Sequence, residues 1–327
     1  MFTLGSVMKS AEGAFGGLWS IGELAIMASR LDEIRRDPHR NAVFEDIHQR
    51  GWYVPVSGKD VHLKVRRSGW ITGTNPYRRI GIPNEERIVA KLVQAREGAG
   101  KHLVVVCHCY GVPVPPAMER LFGLEKQQHV DVVYNIMNHH QRGTFPAWPG
   151  SGFVSGRLSH LIENLRSSIT GVRALIAGLV QLRGYERVTL VGFSIGGQLA
   201  LQVAHALPVS QVVLYCPVTS LHVTSTELGF MRYLHEPVAK TMRRWKGDFA
   251  LDDLAVADPL RYDLQVPQRD MHVIVQRYDA LAPVSQIEAI RRKYPAVGWY
   301  EYGGTHIYPA GARHFQSVIG KLLQSQS

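Results

Sequence analysis

The sequence is poor in cysteine, with three among 327 residues, at positions 107, 109 and 216. Three thiols cannot build a disulfide framework, and the absence of paired CxxC groups excludes a zinc ribbon or finger, so a reducing compartment is expected. Long uncharged apolar runs are also missing. Near the N-terminus Lys9, Glu12, Glu23 and Arg30 interrupt the apolar stretch, and no window approaches the roughly 18 residues that a bilayer crossing requires. The same stretch lacks the basic, apolar and small-residue order of a secretory signal, which makes the cytoplasm the expected location. Acidic residues are the minority charge, 27 against 37 Lys and Arg, for a net +10 with His neutral. The excess is scattered and no nucleic-acid reading motif accompanies it, so specific nucleic-acid binding is not expected; solubility, an anionic substrate or peripheral contact with a membrane surface are the roles left to it.

What is present is an ordinary globular composition, 45% hydrophobic and 20% charged, incompatible with a disordered, collagenous or coiled-coil chain. Residues 1–50 read as an N-terminal appendage. Phe15, Leu18, Trp19, Ile26 and Leu31 line a helical stripe weakened by Gly13, Gly16, Gly17 and Gly22; the stripe is suited to packing on the main domain or a partner, with a lipid surface as the alternative. Residues 51–327 form the main domain. Alternation at Val61, Leu63 and Val65 within 52–71 predicts a hairpin. Short apolar runs predict buried strands at 102–106, 130–134, 188–191, 212–215, 271–275 and 298–302. Helical spacing is found at 158–182, 196–206, 283–293 and 311–323, and 113–127 has the length of a crossover helix. Buried strands alternating with helices predict an α/β fold with a mostly parallel central sheet and helices on both faces. Residues 220–262, with Phe230, Met231, Leu234 and Trp245, read as a lid-like insertion.

The strongest local signal is the run from Val188 to Ala200, which holds Gly192-Phe193-Ser194-Ile195-Gly196 between a strand and a helix. Ser194 is the only serine in a G-x-S-x-G pattern in that context. A serine on such an elbow stands at the carboxyl edge of the sheet, where the amino-terminal N–H groups of the new helix face developing negative charge. A dinucleotide site fits less well, because serine stands where its fingerprint needs the central glycine.

These residues resemble the α/β-hydrolase superfamily over roughly 52–323. The resemblance implies a Ser–His–Asp relay in which Ser194 is the nucleophile. Asp279 follows the strand 271–275 and precedes Pro283, as the superfamily's acid does. His306 follows the last strand and the Gly303-Gly304 turn, where the base is found; His314, in the next helix, is the lesser candidate. His102 to Gly111 matches the segment after the superfamily's third core strand, with His108 at its histidine, Cys109 in place of the usual glycine, and Tyr110 contributing a backbone N–H to the oxyanion hole beside that of Ile195. Asn138-His139-His140-Gln141-Arg142-Gly143 together with the elbow resembles the domain-18 branch and its bacterial relatives.

Metal sites are not expected at Cys107 and Cys109, which alternate across a strand, or at the adjacent His139 and His140, whose side chains diverge. His139 and His140 are candidates for substrate contact or local hydrogen bonding, and Arg142 for holding a carboxylate or phosphate. The reading that follows is hydrolysis of a small-molecule or lipid-like acyl ester through an acyl-enzyme, with no cofactor. Acyl transfer, thioester or amide cleavage, and a noncatalytic binding protein that kept the fold are the alternatives.

Overall fold

The computed structural model describes residues 37–81, 87–96, 101–110, 123–124, 127, 129–140, 153, 158–220, 255–279, 281–282, 284–306 and 312–324. The expected crossover helix at 113–127, the apolar stripe of the first 36 residues and most of the expected lid, 221–254, lie outside the described residues.

Nine strands form one sheet in the order β1-β2-β3-β5-β4-β6-β7-β8-β9. In chain order they are β1 (Leu63–Val65), β2 (Trp70–Thr74), β3 (Arg87–Val93), β4 (His102–Cys107), β5 (Asp131–Asn135), β6 (Arg187–Phe193), β7 (Gln211–Tyr215), β8 (Met271–Gln276) and β9 (Gly298–Tyr302). The hairpin β1–β2 and strand β3 pair antiparallel with their neighbours, and β3 joins β5 in the same sense. From β5 across β4, β6, β7 and β8 to β9 every pairing is parallel. The chain leaves β4 for β5 on one side and returns to place β6 on the other. That reversal makes the carboxyl ends of β4 and β6 the switch point of the sheet, the place where open α/β sheets hold their ligands.

Strands β4 to β8 are buried on both faces because both faces are covered. Leu103 and Val105 of β4 enter one core, and Val104 and Val106 enter the other. The first core is closed by helix α2 (Leu158–Arg183), through Ile162, Leu165, Ile169, Val172, Ile176 and Leu179, and by helices α3 (Ile195–Ala206) and α4 (Val284–Lys293). The second is closed by helix α5 (Ala312–Gln324), through Phe315, Val318, Ile319 and Leu323. Strand β3 has no counterpart among the expected strands. Its burial alternates, yet Lys91 stands at a half-buried position, which breaks the apolar signal that a strand search follows.

Helix α1 (Arg40–Arg50) packs on the first core through Val43, Phe44 and Ile47 and is tied to α2 by charge. Arg166 of α2 is fully buried; its guanidinium lies 2.9 Å from Asp46 and 3.2 Å from Glu163, and it donates to the carbonyls of Gly51 and Trp52. Glu163 also accepts from the Tyr77 hydroxyl at 2.6 Å and from the Ile80 N–H at 2.7 Å. Removing the cation would leave a fully buried carboxylate without its counter-charge. Arg166→Met is therefore expected to lower unfolding stability by about 3–5 kcal/mol, whereas Glu163→Gln combined with Arg166→Met should recover part of the loss. Urea unfolding of the three proteins measures both.

Candidate active site

Strand β6 is buried almost throughout and ends at Phe193; helix α3 begins at Ile195. Ser194 alone makes the turn between them, with φ 57° and ψ −122°. A non-glycine residue in this region costs on the order of 1–3 kcal/mol and persists only where its surroundings hold it. Here the Ser194 N–H donates to the Tyr215 carbonyl at 3.1 Å, and the Ser194 carbonyl accepts from Gly197 and Val218 at 2.9 and 3.0 Å. Gly196 is required by close approach, since a Cβ there would collide with the carbonyl oxygens of Cys107 and His108. The absent side chain thus lets the end of β4 lie directly against the start of α3. Ser194 is 9% exposed.

Asp279 follows β8 in a tight turn. Its Oδ1 accepts from the N–H groups of Leu281 and Ala282 at 2.8 and 2.6 Å, and its Oδ2 accepts from Nδ1 of His306 at 2.7 Å. The two loops that carry this pair are tied by backbone hydrogen bonds, Arg277 N–H to Tyr302 and Tyr278 N–H to Gly304, each 2.9 Å. The His306 ring stacks on Phe193 with centroids 5.2 Å apart and planes 22° from parallel. The imidazole therefore lies over the residue that precedes Ser194.

Cys216 completes this buried group. It follows β7 with φ 43°, is fully buried, and its sulfur lies within 4.8 Å of a ligand atom of both Asp279 and His306. In the sequence Cys216 figures only as one of three thiols, because a single cysteine beside a proline has no partner at a recognisable spacing. Its position immediately after a strand at the carboxyl edge was the available signal.

At the end of β4, His108 uses both ring nitrogens. Nδ1 lies 2.7 Å from the Cys109 carbonyl, which can only accept, so Nδ1 carries the proton. Nε2 accepts from the Met137 N–H at 3.0 Å. Burial, and secondarily the neighbouring His140, pushes the His108 pKa down to about 3, so the neutral ring that this pattern requires is the stable one. The ring staples the end of β4 to the turn after β5. Cys109 is absent from the non-glycine residues with positive φ, which are His139, Ser194 and Cys216 among the described residues. The backbone there needs no glycine conformation. Burial raises the thiols of Cys107 and Cys109 to about 12.

The remaining expected residues are spread around this edge. Tyr110 is half-buried and meets His140 edge-on, with centroids 5.6 Å apart. His140 is buried, donates from Nδ1 to the Asn138 carbonyl at 2.9 Å and packs against His108 at 4.7 Å. Burial lowers its pKa to about 4. His139, with φ 63°, turns the other way and meets Asn164 of α2 at 3.1 Å. Arg142 lies outside the described residues, and His314 has no described side chain.

A sheet that turns from antiparallel to parallel, helices on both faces, and a buried histidine–carboxylate pair after its last two strands define the α/β-hydrolase class. The model of the Alpha/beta hydrolase family matches residues 104–315, and the chain belongs to that family. No curated protein matches the sequence. Among solved structures the chain is similar to acetyl xylan esterase 1 from Thermoanaerobacterium sp. JW/SL YS485, with 17% identity over 89% of this chain and 98% of that one and a TM-score of 0.54. It is also similar to Est1E from Butyrivibrio proteoclasticus, at 13% identity, 79% and 99% coverage and a TM-score of 0.53. A third likeness is to the acylaminoacyl peptidase of Pyrococcus horikoshii, at 13% identity, 79% and 41% coverage and a TM-score of 0.50. These likenesses establish a shared fold. Among the described residues no helix is long and apolar enough to cross a membrane.

Proposed function

We propose that the protein is a serine hydrolase that cleaves an acyl compound, with an ester as the first substrate class to test. The observation that carries this reading is the backbone of Ser194. A strained serine between a buried strand and a helix start has its hydroxyl lifted out of both elements, and the paired Asp279 and His306 lie on the neighbouring loops. Attack by the Ser194 oxygen on the carbonyl carbon would transfer the serine proton to Nε2 of His306, while Asp279 holds the Nδ1–H tautomer and stabilises the imidazolium. The main-chain N–H groups of Ile195 and Tyr110 are suited to receive the carbonyl oxygen's negative charge. His306 would then protonate the leaving group and activate the water that frees the acyl group from Ser194. His140 would act here through its packing on Tyr110, and His139, turned toward α2, would stand farther from the reacting atoms.

The same machinery serves thioesters, amides and transfer to an alcohol, and the structural likenesses include an acetyl xylan esterase and an acylaminoacyl peptidase. The defining experiment is fluorophosphonate labelling of the folded protein followed by matched ester, thioester and amide substrates. Labelling at Ser194 with turnover of the ester is the expected result. A folded protein that neither labels nor turns over any acyl substrate would leave the noncatalytic binding protein as the reading.

The +10 charge and Arg142 give a further expectation about selectivity. A carboxylated ester should be preferred to its neutral analogue, the preference should weaken in salt, and Arg142→Ala should reduce it by about tenfold, the loss of roughly 1.5 kcal/mol from a charge-assisted contact. Comparing kcat/KM for the two esters at two salt concentrations reads this directly. Equal specificity in both proteins would remove Arg142 as the charge selector.

A further inference from the structure

We infer that Cys216, Asp279 and His306 form a binding site for a thiophilic divalent cation of the zinc type, and that occupation of this site shuts the protein off. The three residues come from three successive strand ends, after β7, β8 and β9, and each offers one ligand atom, all within 4.8 Å of one another and all buried. Sulfur, oxygen and nitrogen are the zinc donor set, with bonds of about 2.3, 2.0–2.2 and 2.0–2.1 Å; a tetrahedral centre then spaces its ligand atoms at about 3.3–3.6 Å. His306 Nδ1 and Asp279 Oδ2 stand 2.7 Å apart and need to open by roughly half an ångström for a metal to replace the proton between them. Asp279 is already steadied through Oδ1 by two backbone N–H groups, which leaves Oδ2 as the ligand atom.

Charge selects the class of ion. A thiolate, a carboxylate and a neutral imidazole together carry two negative charges, so a divalent cation makes the buried group neutral, which relieves the cost of isolated charge in an apolar setting. Calcium and magnesium need six or more oxygens or several retained waters, and one carboxylate cannot supply them. On binding, the thiol proton passes to solvent. The imidazole keeps one proton, moved from Nδ1 to Nε2. The fourth coordination position is left for water.

The effect on activity rests on the relay proposed above, since a protonated Nε2 cannot take the Ser194 proton; the binding itself does not depend on that relay. Two measurements separate them. Equilibrium dialysis against zinc, with cobalt(II) as a spectroscopic substitute, reports the site without any substrate. One tightly held metal per chain and a thiolate-to-cobalt charge-transfer band are expected in the wild-type protein. Cys216→Ser, chosen because it keeps the shape of the side chain, and Cys216→Ala, as a second variant, should lose the band and bind zinc more than about 100-fold more weakly, beyond the loss that removal of an outer partner causes. Circular dichroism verifies that each is folded. Absence of the band in the wild type, or its persistence in both folded variants, overturns the site.

The second measurement is the rate of fluorophosphonate labelling with and without zinc. Labelling that zinc slows in the wild type, and slows far less in the Cys216 variants, supports the shut-off. Labelling that zinc leaves unchanged while the cobalt band is present overturns the shut-off and keeps the site. Absence of labelling in the metal-free protein counts against the serine reading alone, because the spectrum still reports the metal.

Discussion

Ser194→Ala is expected to abolish fluorophosphonate labelling and to lower kcat for the preferred acyl substrate by roughly 10⁴ to 10⁶-fold, the range that loss of a serine nucleophile produces. The effect should fall on kcat with little change in KM, because the hydroxyl is used in the chemical step and its removal leaves the rest of the site in place. The fold should survive. The side chain projects from a turn whose backbone is held by the carbonyl of Tyr215 and by the N–H groups of Gly197 and Val218, none of which the substitution touches. Alanine at φ 57° carries the same Cβ strain as serine, so the melting temperature should move by a few degrees at most. Intact-protein mass spectrometry after labelling gives the decisive reading, and an alanine variant that labels as well as the wild type would place the nucleophile elsewhere.

Asp279→Asn should be nearly as severe, with kcat reduced by about 10⁴-fold. Asp279 Oδ2 accepts the Nδ1 proton of His306 at 2.7 Å, and Oδ1 is held by two backbone N–H groups. Asparagine keeps the size of the side chain, yet either face it turns toward His306 changes the hydrogen-bond logic. An amide nitrogen there donates, which favours the imidazole tautomer with its proton on Nε2, and that tautomer cannot accept the serine proton. An amide oxygen there would point the NH₂ at the N–H groups of Leu281 and Ala282. His306→Ala should match the loss, and His314→Ala should remain close to wild type. Steady-state kinetics on proteins of verified fold tests the set. Normal turnover in His306→Ala with severe loss in His314→Ala would transfer the role of base.

The parallel half of the sheet was readable strand by strand because β4 to β8 are buried on both faces and centre on apolar runs; 271–275 differs from β8 by one residue, and 298–302 is bounded as the half-buried edge strand β9 is. The antiparallel half was harder. Strand β3 mixes Arg87 and Lys91 into its alternation, since one face of this antiparallel strand is only partly covered. The elbow at Ser194 announced itself because steric need writes glycine on both sides of it. Cys216 gave no such notice: what makes it notable is its distance from Asp279 and His306, 63 and 90 positions later in the chain.

Length, composition, the order of apolar runs and the glycines around Ser194 determined by themselves that this chain forms an α/β sheet with a serine at a strand-to-helix turn, because burial and backbone sterics act on neighbours in sequence. Only the tertiary structure decided which distant groups meet. Parallel pairing in register carries the ends of β7, β8 and β9 to one edge, and there Cys216, Asp279 and His306 come within 4.8 Å. The missing side chain of Gly196 lets β4 lie against α3, and His108 spends both ring nitrogens fastening that strand end to the turn after β5. Contacts of this kind depend on the summed geometry of the whole sheet and on hydrogen bonds between residues far apart in the chain, which a local pattern of residue types does not encode.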